Sequence, residues 1–155
     1  MLHTLLIAAH AVGGTAAFAA GCLALRLPLQ GEPPTFRVYL GALWLMVFFL
    51  VLVVALDWGT LATVSRLLFG ALTVLALYVG WRGWHAFQDL QRRGAGWTGS
   101  YLDDIGFTLI ALFDGFVIIG ALDLGAPVWL VVAIGVLGIL VGRGAISRMK
   151  TLVAA

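Results

Sequence analysis

Five long apolar runs constrain this chain more than any other feature of its sequence. A helix needs about 20 apolar residues to cross the roughly 30 Å hydrocarbon core of a bilayer. Backbone groups in lipid must be satisfied within their own segment, so each run predicts a membrane-spanning helix. The runs do not alternate as the strands of a membrane barrel would. The predicted spans are residues 5–25, 38–56, 61–81, 105–122 and 126–142.

The composition supports the same fold class. Hydrophobic residues make up 63% of the 155 positions and charged residues only 10%, whereas soluble domains are about 25% charged. This excludes a soluble enzyme, a disordered tail and a secreted module held by disulfides, and Cys22 has no second cysteine to pair with. The sequence therefore predicts an all-α polytopic bundle that forms one domain over residues 1–155, with four spans if the short last run lies at the interface.

The basic residues predict the orientation of the bundle. The second and fourth loops carry only Asp57 and Asp123, while eight of the nine bases lie in the first and third loops or after the last run. Basic loops stay in the cytoplasm, so we expect the N-terminus outside and the C-terminus inside a bacterial inner membrane. Because the bases border apolar runs and the net charge is only +2, the expected partner is the lipid bilayer and not a nucleic acid. The eight bases are Arg26, Arg37, Arg82, Arg92, Arg93, Arg143, Arg148 and Lys150.

Small residues recur at helical spacing within the runs. Steps of three or four place residues on one helix face, and small residues let helix backbones approach closely in lipid. These faces predict the interior of the bundle, or its contact with a further copy or a larger membrane complex. The predicted packing residues are Gly14, Ala17, Gly21, Gly70, Gly138 and Gly142.

Three ionisable residues lie inside the runs, in the predicted outer half. At about 1.5 Å per residue, His10 and Arg66 lie about 8 Å below the outer boundary and Asp114 about 12 Å below it. A central Asp is costly in lipid, so we expect an Arg66–Asp114 ion pair with His10 alongside. Such a cluster either fixes helix register or lines a small cavity for a proton, ion or polar ligand. Alternatively, Arg66 reaches outward to Asp57 or Asp123 and leaves Asp114 protonated.

The predicted cytoplasmic loop between the third and fourth spans carries further charges. Residues 84–93 read as an extension of the third helix toward the lipid headgroups. Asp103 and Asp104 precede the fourth span near His85, where acids favour a helix N-terminus electrostatically. No metal-ligand set and no catalytic nucleophile–base pair is predicted.

The first half of the chain resembles an uncharacterised family of small predicted bacterial multi-pass membrane proteins. The first span carries the pattern H-x3-G-x2-A-x3-G, from His10, Gly14, Ala17 and Gly21. The second span opens with Arg37, Tyr39, Gly41 and Met46. That family typically has a His-Arg pair before its second helix, and Phe36 replaces the His here. The resemblance implies a helical inner-membrane protein and carries over His10 as a residue of interest.

Three functions follow from these features, and a membrane enzyme ranks fourth because no nucleophile–base pair or metal-ligand set can be assembled from the sequence. The first is a non-enzymatic accessory or transport-associated bundle. The second is a proton- or ion-handling protein that uses His10, Arg66 and Asp114. The third is a haem b electron carrier, which needs two His ligands from facing helices and so would need a dimer that joins two copies of His10. No other cofactor is predicted.

Overall fold

The computed structural model describes residues 1–25 and 34–154, and this part of the chain is helical without a strand. All five helices are long and apolar enough to cross a membrane. The prediction of an all-α bundle of five membrane-length helices is therefore confirmed. The helices are α1 (Leu2–Ala24), α2 (Pro34–Asp57), α3 (Thr63–Arg92), α4 (Trp97–Asp123) and α5 (Val128–Ala154).

Two predicted boundaries are wrong. Helix α4 begins at Trp97 and not at residue 105, and α5 continues to Ala154 and does not stop at residue 142. An apolar run ends at its first charged residue, but a helix continues for as long as its charged side chains can reach water or a partner. The fifth helix is therefore not short. The predicted extension of the third helix through residues 84–93 is confirmed, since α3 ends at Arg92.

Four helices close into a ring, and the fifth lies outside it. Helix α1 packs on α2, α2 on α3, α3 on α4, and α4 returns to α1. In the described part of the chain, α5 packs on α4 alone. The short connections 58–62, 93–96 and 124–127 favour antiparallel neighbours. Helix α4 consequently packs against α1, α3 and α5, and its side chains also reach α2 across the ring.

Contacts between helix ends show which termini lie together. The Tyr101 hydroxyl near the start of α4 donates to the Ala24 carbonyl at the end of α1, at 3.1 Å. Lys150 near the end of α5 pairs with Asp103 of α4 at 2.5 Å. The starts of α2 and α4 thus meet the ends of α1, α3 and α5. We call this the basic end, because its half of the bundle contains Arg37, Arg82, Arg92, Arg93, Arg143, Arg148 and Lys150; Arg26 lies outside the described residues.

The buried core is concentrated at the basic end around Phe36. Its ring lies 5.3 Å from the ring of Tyr39, 5.8 Å from Tyr101 and 6.0 Å from Phe87. Phe36, Tyr39 and Tyr101 are fully buried. The position at which the resembling family carries a His is thus a core aromatic position in this chain.

The small residues of α1 lie at helix contacts, whereas Gly70 of α3 lies against a residue of a turn, and its predicted role in helix packing stays a prediction. Ala17 is fully buried. A side chain at Gly14 would meet Met46 and Phe116, and one at Gly21 would meet Tyr39 and Leu109. Gly70 lies against Trp58, beside the turn between α2 and α3.

Helices α4 and α5 interlock through a regular seam. On each pair of facing positions, one residue is a glycine and the other inserts a side chain against it. The absence of a side chain at the glycine lets the two helices approach, as is typical of packing in lipid. The α4–α5 seam pairs Gly106 with Ile146, Ile110 with Gly142, Asp114 with Gly138, and Ile118 with Gly135.

Candidate polar site at the basic end

The predicted cluster of His10, Arg66 and Asp114 does not form. His10 Nδ1 lies 3.0 Å from the carbonyl oxygen of Met46 on α2. Arg66 donates from Nη2 to the carbonyl of Gly59, at 3.2 Å, in the turn before its own helix. No ion pair joins Arg66 to Asp114, and both residues are within the described chain.

The physical reason lies in the rotation of the helices. Similar depth along three helices does not fix the face on which each side chain lies. Asp114 belongs to the α4–α5 seam, where its carboxylate lies against Gly138, and is only 8% exposed. Its Oδ1 atom is buried without a hydrogen-bond partner in the described part of the chain.

The structure instead assembles its buried charge around Asp104. This carboxylate is 5% exposed. Its Oδ1 pairs with Arg82 Nε, and its Oδ2 lies 2.6 Å from His85 Nδ1. Both partners are on α3, so one acidic side chain of α4 joins the two helices through two different groups. The expectation that Asp104 precedes the helix and stabilises its N-terminus is wrong, because α4 has no acidic residue in its first turn.

Helix α3 presents its polar residues to Asp104 on one face. Arg82, His85 and Asp89 are spaced three and four residues apart, which places them one above another along the helix. Arg82 also donates from Nη1 to the Tyr78 hydroxyl at 3.1 Å. Its guanidinium lies 4.9 Å from the centre of the Phe107 ring, within the range of a cation–π contact.

A cleft of about 580 Å³ opens beside this cluster, between α3, α4 and α5. Its walls carry two acid–base pairs, Arg82 with Asp104 and Lys150 with Asp103. The lining residues are Tyr78, Trp81, Arg82, His85, Gly99, Ser100, Asp103, Asp104 and Lys150. The cleft therefore presents both signs of charge in a helical bundle that is otherwise strongly apolar.

Three side chains at this site could hold a metal ion. His85, Asp89 and Asp104 each offer one donor atom, and these atoms lie within 4.8 Å of one another. His85 Nδ1 is 3.8 Å from Asp89 Oδ2, and that oxygen is buried with no hydrogen-bond partner in the described residues. The sequence alone does not indicate this set, because Asp104 comes from a different helix than His85 and Asp89. The four-residue step from His85 to Asp89 was the available signal.

The other described His–Asp pair lies at the opposite end of the bundle. His3 Nε2 on α1 is 2.7 Å from Asp57 Oδ2 at the end of α2. The side chain of His3 is 53% exposed and that of Asp57 is 34% exposed. In the described residues no third metal-ligating side chain lies beside His3 and Asp57. This pair therefore lacks the third donor that the group of His85, Asp89 and Asp104 has.

No family model, no curated protein and no solved structure matches this chain. The resemblance to small bacterial membrane proteins therefore stays a prediction, and the function has to be argued from the geometry of the site.

Proposed function

We propose that this chain is a non-enzymatic, multi-pass protein of a bacterial inner membrane that binds a small ion in the cleft at its basic end. One observation carries the proposal: Asp104 is buried between Arg82 and His85 on the wall of an open cleft. Buried charged groups are costly, and they are stabilised by an opposite charge or by a bound metal ion. The sequence predicts an ion-handling site at His10, Arg66 and Asp114. We place that site instead in the cleft at the basic end.

The distribution of Arg and Lys supports a cytoplasmic position for the basic end. Helix α3 has 30 residues, a length of about 45 Å, against a hydrocarbon core of about 30 Å. Its last turns therefore extend beyond the core, and His85 and Asp89 belong to these turns. On this placement the cleft lies at the level of the lipid headgroups, where cytoplasmic water and ions can enter it.

Binding fits the cleft better than catalysis does. The charged groups of the lining are held in opposite pairs, Arg82 with Asp104 and Lys150 with Asp103. Such pairing fixes these side chains in place. In the described residues no hydrogen bond joins the Ser100 hydroxyl to the His85 imidazole, the nucleophile–base contact that an acyl- or phosphoryl-transfer enzyme would need. An accessory or transport-associated subunit that holds an ion requires only side chains that coordinate the ion and a cleft that is open to water.

Thiol labelling from the two sides of the membrane tests this proposal. In a Cys22→Ser background, Ser100→Cys places a thiol on the cleft wall, and Thr60→Cys places one in the turn at the opposite end. A membrane-impermeant maleimide is applied to intact cells and to inverted vesicles. We expect Ser100→Cys to react only in inverted vesicles and Thr60→Cys only in intact cells.

Two results would overturn the proposal. If Ser100→Cys reacts on neither side while Thr60→Cys reacts normally, the cleft is closed to water. If Ser100→Cys reacts in intact cells, the basic end faces outward, and the proposed cytoplasmic ion site is wrong.

A further inference from the structure

We propose that His85, Asp89 and Asp104 bind one divalent transition-metal ion of the zinc class. This inference rests on the proposed ion-binding function and names the ion. The three donor atoms come from two facing helices and lie within 4.8 Å of one another. Imidazole and carboxylate ligands suit Zn²⁺ and its first-row neighbours.

The distances between the donors are close to those that a zinc ion requires. Bonds of about 2.1 Å in tetrahedral geometry place ligand atoms about 3.4 Å apart. His85 Nδ1 lies 2.6 Å from Asp104 Oδ2 and 3.8 Å from Asp89 Oδ2. Since all three donor atoms lie within 4.8 Å of one another, side-chain adjustments of about 1–1.5 Å would bring them to the spacing that one zinc ion requires.

Asp89 supplies the observation that points to a ligand. Its Oδ2 atom is buried and has no hydrogen-bond partner in the described chain. A buried polar atom without a partner is energetically unfavourable, so such atoms are rare unless they have another role. This oxygen lies on the same face of α3 as His85, one helical turn away, and a shared metal ion would satisfy it.

Arg82 orients the site from its far side. It pairs with Asp104 Oδ1, which leaves Oδ2 directed at His85. Outer contacts of this kind hold a metal-ligating carboxylate in one orientation. With a neutral imidazole, two carboxylates and one guanidinium give the cluster a formal charge of −1, which favours a dication over an anion.

The cleft provides entry and a further ligand position. His85 and Asp104 both line it, so an ion can arrive from the open side. Three protein ligands leave the fourth position of a tetrahedral zinc site to water. The competing arrangement is metal-free: a protonated His85 bridges the carboxylates of Asp89 and Asp104 and is the second cation of the cluster, after Arg82.

Metal titration of the purified full-length chain separates these arrangements. The protein carries no polyhistidine tag, is stripped with a chelator and is titrated with Zn²⁺, and separately with Co²⁺ to follow visible ligand-field absorption. We expect one Zn²⁺ per chain. Asp89→Asn should weaken Zn²⁺ binding at least tenfold and abolish the Co²⁺ bands, because it removes one ligand and keeps the Arg82–Asp104 pair.

The opposite end of the bundle supplies the matched control. His3→Ala removes the other described His–Asp pair and should leave the affinity and the stoichiometry unchanged. Thermal unfolding without metal checks that Asp89→Asn is folded, and Asp89→Glu, which keeps a carboxylate, should retain part of the affinity.

The metal site is overturned if the wild-type chain binds no Zn²⁺, or if Asp89→Asn binds it as tightly as the wild type. It is also overturned if His3→Ala lowers the affinity as much as Asp89→Asn does. When Ser100→Cys is labelled from the cytoplasm but Zn²⁺ does not bind, the zinc site is wrong, while the open cytoplasmic cleft on which the proposed function depends still stands. When Ser100→Cys is not labelled, the proposed function itself fails.

Discussion

The carboxylate of Asp114 lies directly against the backbone of Gly138, where α4 crosses α5. Insertion scales assign about 2.5–3.5 kcal/mol to an Asp at the centre of a membrane helix. Here Asp114 avoids the lipid through the adjacent glycine and not through an opposite charge. The two neighbouring contacts of the α4–α5 seam, Ile110 with Gly142 and Ile118 with Gly135, have the same form. Asp114 therefore occupies a packing position that isoleucine fills elsewhere in the seam.

Gly138→Ala should destabilise the bundle. The added methyl group would overlap the Asp114 carboxylate, and overpacking of this kind costs about 1–3 kcal/mol. The free energy of unfolding is measured by SDS titration in mixed micelles. In an Asp114→Ala background the same substitution should cost less than about 0.5 kcal/mol, since the obstructing atoms are gone and the two sites are coupled.

Gly120→Ala is the control for this cycle, because a side chain at that position of α4 would meet nothing within 4 Å. It should be neutral or slightly stabilising, as alanine is the better helix former. Equal costs of Gly138→Ala with and without Asp114 would show that the carboxylate does not occupy the seam.

The hydroxyl pair of Tyr39 and Thr108 gives a second prediction. Thr108 donates to the Ile105 carbonyl at 2.8 Å, so its single proton is used and Tyr39 must be the donor across the 2.5 Å contact between α2 and α4. Thr108→Val removes the acceptor from a fully buried site. We expect a loss of about 1–3 kcal/mol in the free energy of unfolding, because the Tyr39 hydroxyl is left unsatisfied.

Thr73→Val is the matched variant for Thr108→Val. Thr73 also donates to a carbonyl of its own helix, that of Phe69 at 2.7 Å, but it accepts no hydrogen bond from another helix. It should change the free energy of unfolding by less than about 0.5 kcal/mol, as is usual for positions away from the core. Similar losses for the two variants would mean that the interhelical hydrogen bond contributes nothing.

Hydropathy predicted the five helices but not their rotation. A run of apolar residues identifies a span, yet it contains no information about which face meets which neighbour. Asp114 and Arg66 have similar predicted depth, but the α4–α5 seam turns Asp114 toward Gly138 while Arg66 bonds to Gly59 in the preceding turn. The Arg82–Asp104 pair escapes the sequence for a related reason: the apolar run begins after Asp104, whereas the helix begins at Trp97 and includes this residue.

The Arg82–Asp104 pair should stabilise the contact between α3 and α4. Removing one partner of a buried ion pair costs about 3–5 kcal/mol, but the side chain of Arg82 is 21% exposed and Asp104 retains His85. We therefore expect Arg82→Gln to lower the free energy of unfolding by about 2 kcal/mol. Arg66→Gln is the comparison, because within the described residues Arg66 donates to a backbone carbonyl at 3.2 Å and to no carboxylate. Its loss should cost less than about 1 kcal/mol.

Arg82→Gln and Asp104→Asn together complete a double-mutant cycle. Their combined cost should be smaller than the sum of the single costs, since each single variant leaves the other member without its opposite charge. Strictly additive costs would show that the two side chains do not interact in the membrane-embedded protein.

The last turns of α5 should hold that helix on the bundle. Ile146 lies beyond residue 142, where the apolar run ends, and it fills the space above Gly106 on α4. Ile146→Ala should lower the free energy of unfolding by about 2 kcal/mol, at the low end for truncation of a packed isoleucine. Ile139→Ala removes the same atoms from a side chain of α5 that is 47% exposed, so it should cost less than about 1 kcal/mol. Equal effects of the two variants in SDS titration would mean that α5 does not dock along its C-terminal half.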